Sequence, residues 1–248
     1  MARAKDTVVV GWVHPLDVGA GFCDSMLALH VHDLLGPGRL AGRIGRYSSA
    51  NISNARNGVV RQFLEKSTAD WLLMIDTDMS FPPDAVDRLL VNASRSRAPI
   101  VGGLCFGVED GELFPTLYDV REDADGVHMV RYHEYPADSM FQVAATGAAF
   151  LLMHRDALQR IGQAQADAGN TAYPWFQETA LNGAPMGEDV TFCLRAGMLG
   201  IPVWVDTGLP IGHMKSYELT EAKYLAQRRA AQTPPAADPS QSAAGGTS

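Results

Sequence analysis

Asp76 and Asp78 stand one residue apart at the end of an unbroken apolar run over residues 71–75. Side chains two apart in an extended chain point to the same side. Two carboxylates therefore project together from the tip of a strand that reads as buried on both faces. Like charges that close disfavour joint ionisation unless something neutralises them. A divalent cation would do so. Hard oxygen ligands suit Mg²⁺ or Mn²⁺, ions that share their coordination with substrate phosphates. The plainer alternative is that one aspartate caps the following helix and the other faces solvent.

The elements that must position this pair are legible as an alternation. Residues 7–13 form a β-branched run and read as the first strand, followed by the loop "HPLDVGAG". Residues 24–35 read as a helix stopped by "GPG", and residues 43–48 as a second strand. "SSANISNARNGVVRQFLEKS" opens with capping residues and places Ala55, Val59, Val60, Phe63 and Leu64 on one helical face. After the strand at 71–75, "FPPDAVDRLLVNA" starts a helix and residues 99–106 a strand. Such alternation implies an α/β fold with a parallel sheet and helices on its faces. Ligands then bind beyond the carboxyl ends of the strands, where Asp76, Asp78 and the loop after the first strand lie.

From residue 113 the pattern changes to an expected β-hairpin, a strand running into a helix through "FQVAATGAAFLLMHRDAL", and an irregular loop over residues 164–186. "GEDVTFCLRAGMLG" reads as a short helix, "IPVWVD" as a strand, and residues 217–229 as a last helix. Residues 231–248 are rich in Pro, Ala, Ser and Gly, the composition of a disordered tail. The expected organisation is one domain over residues 1–230, with a nucleotide half at 7–106 and an acceptor half at 107–230.

Of 248 residues 46% are hydrophobic and 19% charged, which is ordinary for a globular chain. A formal net charge of −8 argues against nucleic acid as the main partner. Cys23, Cys105 and Cys193 form no CxxC pair, so no disulfide framework or zinc knuckle is expected, and a reducing cytoplasmic setting fits. The apolar start is too short for a signal peptide or a membrane span.

"LLMIDTDMSFPPDAVDRLL" resembles the metal-binding D-x-D strand of glycosyltransferases with the GT-A fold. "NARNGVV" resembles the Ala-Arg-Asn helix start upstream of it in the family-2-like group. "TGAAFLLMHRDAL" resembles the strand beside the acceptor site, "GEDVTFCLRAGMLGIPVWVD" the x-E-D helix and its following strand, and "GHMK" the late segment that completes the metal site. The five follow the family's order across residues 7–215. The implied fold is GT-A: a Rossmann-like nucleotide half with a mostly parallel sheet, merged with an acceptor half. No Q-x-x-R-W segment is present, which speaks for a non-processive, hexosyltransferase-type enzyme.

The resemblance implies roles residue by residue. Asp78 and His213 would hold Mn²⁺ or Mg²⁺, with Asp76 toward the ribose or a metal-bound water. The nucleotide-sugar, a UDP- or GDP-sugar, would also meet Asp17, Arg56 and Lys215, the cations pairing with its phosphates. Asp189 would be the general base of an inverting transfer, with Glu188 binding the acceptor. Gly147 would let the acceptor approach the backbone, and Trp175 and Phe176 would stack on a sugar face. The acceptor would be a glycan, protein or lipid, and a homodimer is compatible with all of this. Plainer readings stand beside these: a loop histidine, a solvated Lys215, a surface ion pair for Arg56, a small aromatic core for Trp175 and Phe176, and acids that only offset a helix dipole. Other enzyme readings are a haloacid-dehalogenase-like phosphatase and a sugar nucleotidyltransferase. The first wants the motif on its first strand. The second wants a basic glycine-rich loop, and "GWVHPLDVGAG" has no Lys or Arg. A non-catalytic nucleotide-sugar-binding module would keep the fold without turnover.

Overall fold

The computed structural model describes residues 6–48, 51–123 and 126–216, together with residues 221, 224, 225 and 228. The chain divides into two compact units, Met1–Met214 and Lys215–Ser248. In the second, the four described residues from Glu221 onward are helical. The helix expected over 217–229 otherwise falls outside the described residues, as does the tail expected at 231–248.

The first unit opens with β1 (Val8–His14), α1 (Ala20–Leu35), β2 (Leu40–Tyr47), α2 (Ile52–Lys66) and β3 (Trp71–Asp76). There follow β4 (Met79–Ser80), α3 (Ala85–Asn92) and β5 (Ile100–Leu104). Two hairpins come next, β6 (Phe106–Glu109) with β7 (Glu112–Pro115), and β8 (Leu117–Asp123) with β9 (Gly126–Arg131). Then come β10 (Met140–Val143), β11 (Ala145–Thr146), β12 (Phe150–His154) and α4 (Arg155–Asp167). The unit closes with β13 (Thr179–Leu181), β14 (Ala184–Met186), α5 (Glu188–Met198), β15 (Val203–Pro210) and β16 (Gly212–His213).

Seven strands form the central sheet in the order β10-β15-β5-β12-β3-β1-β2. β1 runs parallel to both β2 and β3, and β15 parallel to β5. β12 runs antiparallel between β3 and β5, and β10 antiparallel on the β15 edge. The sheet is therefore mostly parallel, as the alternation predicts. The interposed β12 departs from it: β3 and β5 are successive in the chain among the strands of this sheet but do not pair.

Alternation along β3 explains the layering. Leu72 and Met74 enter one core with Val59 and Phe63 of α2, Leu158 and Ile161 of α4, and Phe192 and Ala196 of α5. Trp71, Leu73 and Ile75 enter the other with Phe22, Met26 and Leu29 of α1 and Val86 and Leu89 of α3. Each large side chain so buried contributes about 1.5–3 kcal/mol of transfer free energy. Caps fix two helix starts. Asn51 Oδ1 accepts from Asn54 N at 2.8 Å, and His154 Nδ1 accepts from Asp156 N at 3.1 Å.

The stretch expected to be an irregular loop contains the β13–β14 hairpin. Its turn is Asn182-Gly183, both with positive φ (50° and 83°), as a two-residue hairpin turn requires.

Candidate active site

β3 ends at Asp76, and both of its carboxylate oxygens accept from one Arg56 nitrogen, at 2.7 and 2.8 Å. The other terminal nitrogen of Arg56 donates to Glu188 at the start of α5. Arg56 itself is only 2% exposed. Burial opposes its charge, but Asp76, Glu188 and Asp189 outweigh that and hold its pKa above the ordinary arginine value. For Glu188 burial wins: its carboxyl is pushed above the ordinary glutamate value, and Arg56 offsets only part of the push. The diphosphate contact expected of Arg56 is thus corrected. Both terminal nitrogens are committed to carboxylates inside the protein. Glu188, also buried and held by Arg56, is placed to fix the start of α5 rather than to reach into solvent for an acceptor.

Asp78 has a different partner. The short β4–β16 ladder pairs His213 with Met79, and Met214 N donates to the Asp78 carbonyl at 2.8 Å. This brings His213 Nε2 to 3.0 Å from Asp78 Oδ2. His213 Nδ1 lies 2.7 Å from the Phe106 carbonyl oxygen, so it must be the protonated, donating nitrogen. In the neutral ring Nε2 then offers a lone pair to a carboxylate oxygen, and two acceptors face each other unless a proton or metal ion lies between them. Adjacent ligands of an octahedral ion bound at ~2.1 Å stand about 3 Å apart, so this pair fits two neighbouring coordination positions. Among the described residues no group of three or more His, Cys, Asp or Glu side chains could hold an ion by itself. Phosphate oxygens and water would complete the shell, as is usual for Mg²⁺.

A cleft of about 330 Å³ opens beside the pair and is lined by His14, Asp17, Ser48, Asp76, Thr77 and Asp78. The loop after β1 is tied to it, because Gly19 N donates to the Thr77 carbonyl at 2.8 Å. A Cβ at Gly19 would stand 3.0 Å from that same oxygen. The structure therefore assembles Asp17, Asp76, Asp78 and His213 at one end of the sheet. Lys215 is exposed and begins the second unit, so its phosphate role stays an expectation.

Asp189 follows Glu188 on the first turn of α5. A Cβ at Gly147, just past β11, would lie 3.6 Å from Asp189 Oδ2 and 3.7 Å from Thr116 Oγ1. The structure thus brings Gly147 and Asp189 together. Gly187 escaped the sequence reading: a Cβ there would lie 2.8 Å from Asp189 Oδ1. Its signal was a glycine directly before an acidic pair. The Phe106 carbonyl escaped it too, since nothing in a sequence marks which backbone oxygen orients a histidine.

The sugar-stacking role of Trp175 and Phe176 is overturned. Both are buried; Phe176 stacks on Phe192 with ring centroids 4.8 Å apart, and Trp175 Nε1 donates to the Leu158 carbonyl at 2.7 Å. Asn57 latches their backbone, its Oδ1 accepting from Trp175 N at 3.0 Å and its Nδ2 donating to the Phe176 carbonyl at 2.6 Å. They form the floor under Arg56, whose guanidinium carbon is 5.8 Å from the centre of the Phe176 ring.

No family model and no curated protein matches this sequence. Solved structures do. A197 from STIV matches with a TM-score of 0.55 at 14% identity, covering 85% of this chain and 86% of that one. GalNAc-T7, crystallised with UDP, GalNAc and Mn²⁺, matches with a TM-score of 0.56 at 12% identity. That likeness covers 87% of this chain and 45% of GalNAc-T7. The fold is of the GT-A type. No described helix is long and apolar enough to cross a membrane.

Proposed function

We propose that this chain is a metal-dependent glycosyltransferase. It moves one sugar from a UDP- or GDP-sugar to an acceptor hydroxyl on a glycan, protein or lipid, in the cytoplasm and without processivity. The observation that carries the reading is the Asp78–His213 pair, a carboxylate oxygen and an imidazole nitrogen 3.0 Å apart, with Asp78 also lining the cleft. The GT-A fold and the UDP and Mn²⁺ bound to GalNAc-T7 support the same reading.

Asp78 and His213 would hold Mn²⁺ or Mg²⁺. The ion they hold would supply Lewis-acid neutralisation of the charge that grows on the departing nucleoside diphosphate. Asp17, exposed on the loop after β1, accepts hydrogen bonds from the nucleoside, and Asp76 retains lone pairs for the ribose. Asp189 takes the proton of the acceptor hydroxyl, which suits an inverting single displacement. Gly147 leaves its carboxylate open to the acceptor.

The phosphatase reading fares worse, because the first aspartate would have to be the nucleophile and both Asp76 oxygens are engaged by Arg56. The test is thermal unfolding with UDP, GDP, CDP, ADP and TDP, each with and without Mn²⁺, on the native chain and on Asp78→Asn. A nucleotide at 100 times its dissociation constant adds roughly 2.7 kcal/mol. That is a rise on the order of 5–10 °C for a chain of this size. The expected result is a rise with UDP or GDP that needs Mn²⁺ and is lost in Asp78→Asn. Absence of any nucleotide effect would refute the reading.

A further inference from the structure

β16 ends the first unit and is only two residues long. Its ladder with β4 is equally short, Gly212 against Ser80 and His213 against Met79. A two-stranded ladder of that length is marginal by itself, whereas a ligand side chain has to be held to within about 0.5 Å. Backbone bonds pin either side of it. Ile211 N donates to the Leu104 carbonyl and Met214 N to the Asp78 carbonyl, both at 2.8 Å. After Met214 the chain passes into the second unit, so Met214 is the last side chain that the first unit supplies.

That side chain sits in a notch made by glycines. A Cβ at Gly21, in the first turn of α1, would stand 2.5 Å from Met214 Sδ and 3.4 Å from Ser80 Cβ. A Cβ at Gly19 would stand 3.5 Å from Met214 Cε and 3.6 Å from Asp78 Cα. The sulfur therefore occupies the space that any side chain at residue 21 would need. Glycine inside a helix is unfavourable relative to alanine, and room for the thioether gives Gly21 a packing reason. An unbranched, polarisable side chain suits an irregular gap of this kind. The thioether thus packs where the start of α1 meets the Asp76–Asp78 turn, next in the chain to the histidine that faces Asp78.

We propose that Met214 is a positioning residue: seated against Gly19 and Gly21, it holds His213 in register with Asp78. The consequence for metal binding rests on the function proposed above; the packing stands without it. Without the thioether, β16 keeps its backbone bonds but loses its side-chain anchor. His213 then spends time in positions from which it cannot share an ion with Asp78. Groups that orient a metal ligand typically contribute about 10–100-fold to metal affinity. Met214 is 41% exposed and belongs to neither core, so shortening it leaves the bulk of the fold intact.

Hydrogen–deuterium exchange and Mn²⁺ binding, both on the full chain, test this together. Met214→Ala should speed amide exchange across residues 211–214 in the metal-free chain, with an unchanged unfolding temperature. With UDP present, and separately with GDP, its Mn²⁺ dissociation constant should rise at least about 10-fold, read from the spin-resonance signal of free Mn²⁺. Met214→Leu, a volume-conserving change, should stay close to the native chain in both measurements. Should Met214→Ala not fold, Gly21→Ala provides the reading. It removes the notch instead of the thioether and should act the same way, although alanine is the better helix former. Native exchange in Met214→Ala would overturn the proposal. So would a native Mn²⁺ affinity despite faster exchange, or a Met214→Leu as impaired as Met214→Ala. A native chain that binds no Mn²⁺ with either nucleotide would refute the metal-dependent function instead, and the exchange of Met214→Ala would still decide the anchoring.

Discussion

At the scale of residues, the two aspartates turn out to have separate counter-charges. Asp76 is held by a buried guanidinium, and Asp78 faces an imidazole whose tautomer is set by a backbone carbonyl. The sequence made the pair visible and the late histidine plausible, but it could not show that Arg56 points inward. Arginine at a helix start reads as surface until the glutamate 132 residues away is seen to face it. Removing one partner from a buried charge pair typically costs about 3–5 kcal/mol, because the remaining charges stay unpaired. Arg56→Met should therefore lower stability by about that much in urea titrations. Arg56→Lys should recover only part, since one ammonium cannot bridge two carboxylates as a planar fork does. The cysteines give a second expectation. Burial pushes the Cys105 and Cys193 thiols up to about 12, whereas Cys23 is exposed. Ellman's reagent should titrate one thiol in the native chain and all three after denaturation.

At the scale of elements, helices and strands with a clear apolar period were legible to within a few residues. The β13–β14 hairpin was not, although "LNGA" carries the turn signal, because its flanking strands are only three residues long and mostly polar or small. α4 offers a pH test. Its cap, His154, accepts a hydrogen bond at Nδ1 and packs edge-on against Trp71 with centroids 4.7 Å apart. Burial holds its pKa below the ordinary histidine value. The unfolded chain therefore takes up a proton first as pH falls through about 6.5. Stability should hold above that pH and decline below it, by the linkage between protonation and folding. Protonation also removes the cap, worth typically ~1 kcal/mol. Unfolding temperature against pH should show the decline in the native chain and less of it in His154→Asn, which keeps a capping oxygen.

At the scale of the whole molecule, the expected boundary between two halves near residue 106 is no boundary in the central sheet. β12, at residues 150–154, stands between β3 and β5, and β15 lies beyond β5. Nothing in residues 7–106 announces that gap, because pairing order is a property of the finished sheet. A fragment of residues 1–106 lacks the strand that joins its own β3 to its own β5. It should show no cooperative unfolding transition by circular dichroism, whereas residues 1–214 should keep one. Arg56 carries the same lesson into protein engineering. It links the end of β3 to the start of α5 through Asp76 and Glu188, one partner on each side. A chimera that joins the front of this chain to the back of another GT-A protein inherits an orphaned cation or an orphaned acid unless Arg56, Asp76 and Glu188 travel as a set. Recombination libraries cut between residues 56 and 188 should therefore lose viable members for reasons that neither parent's active-site chemistry would reveal.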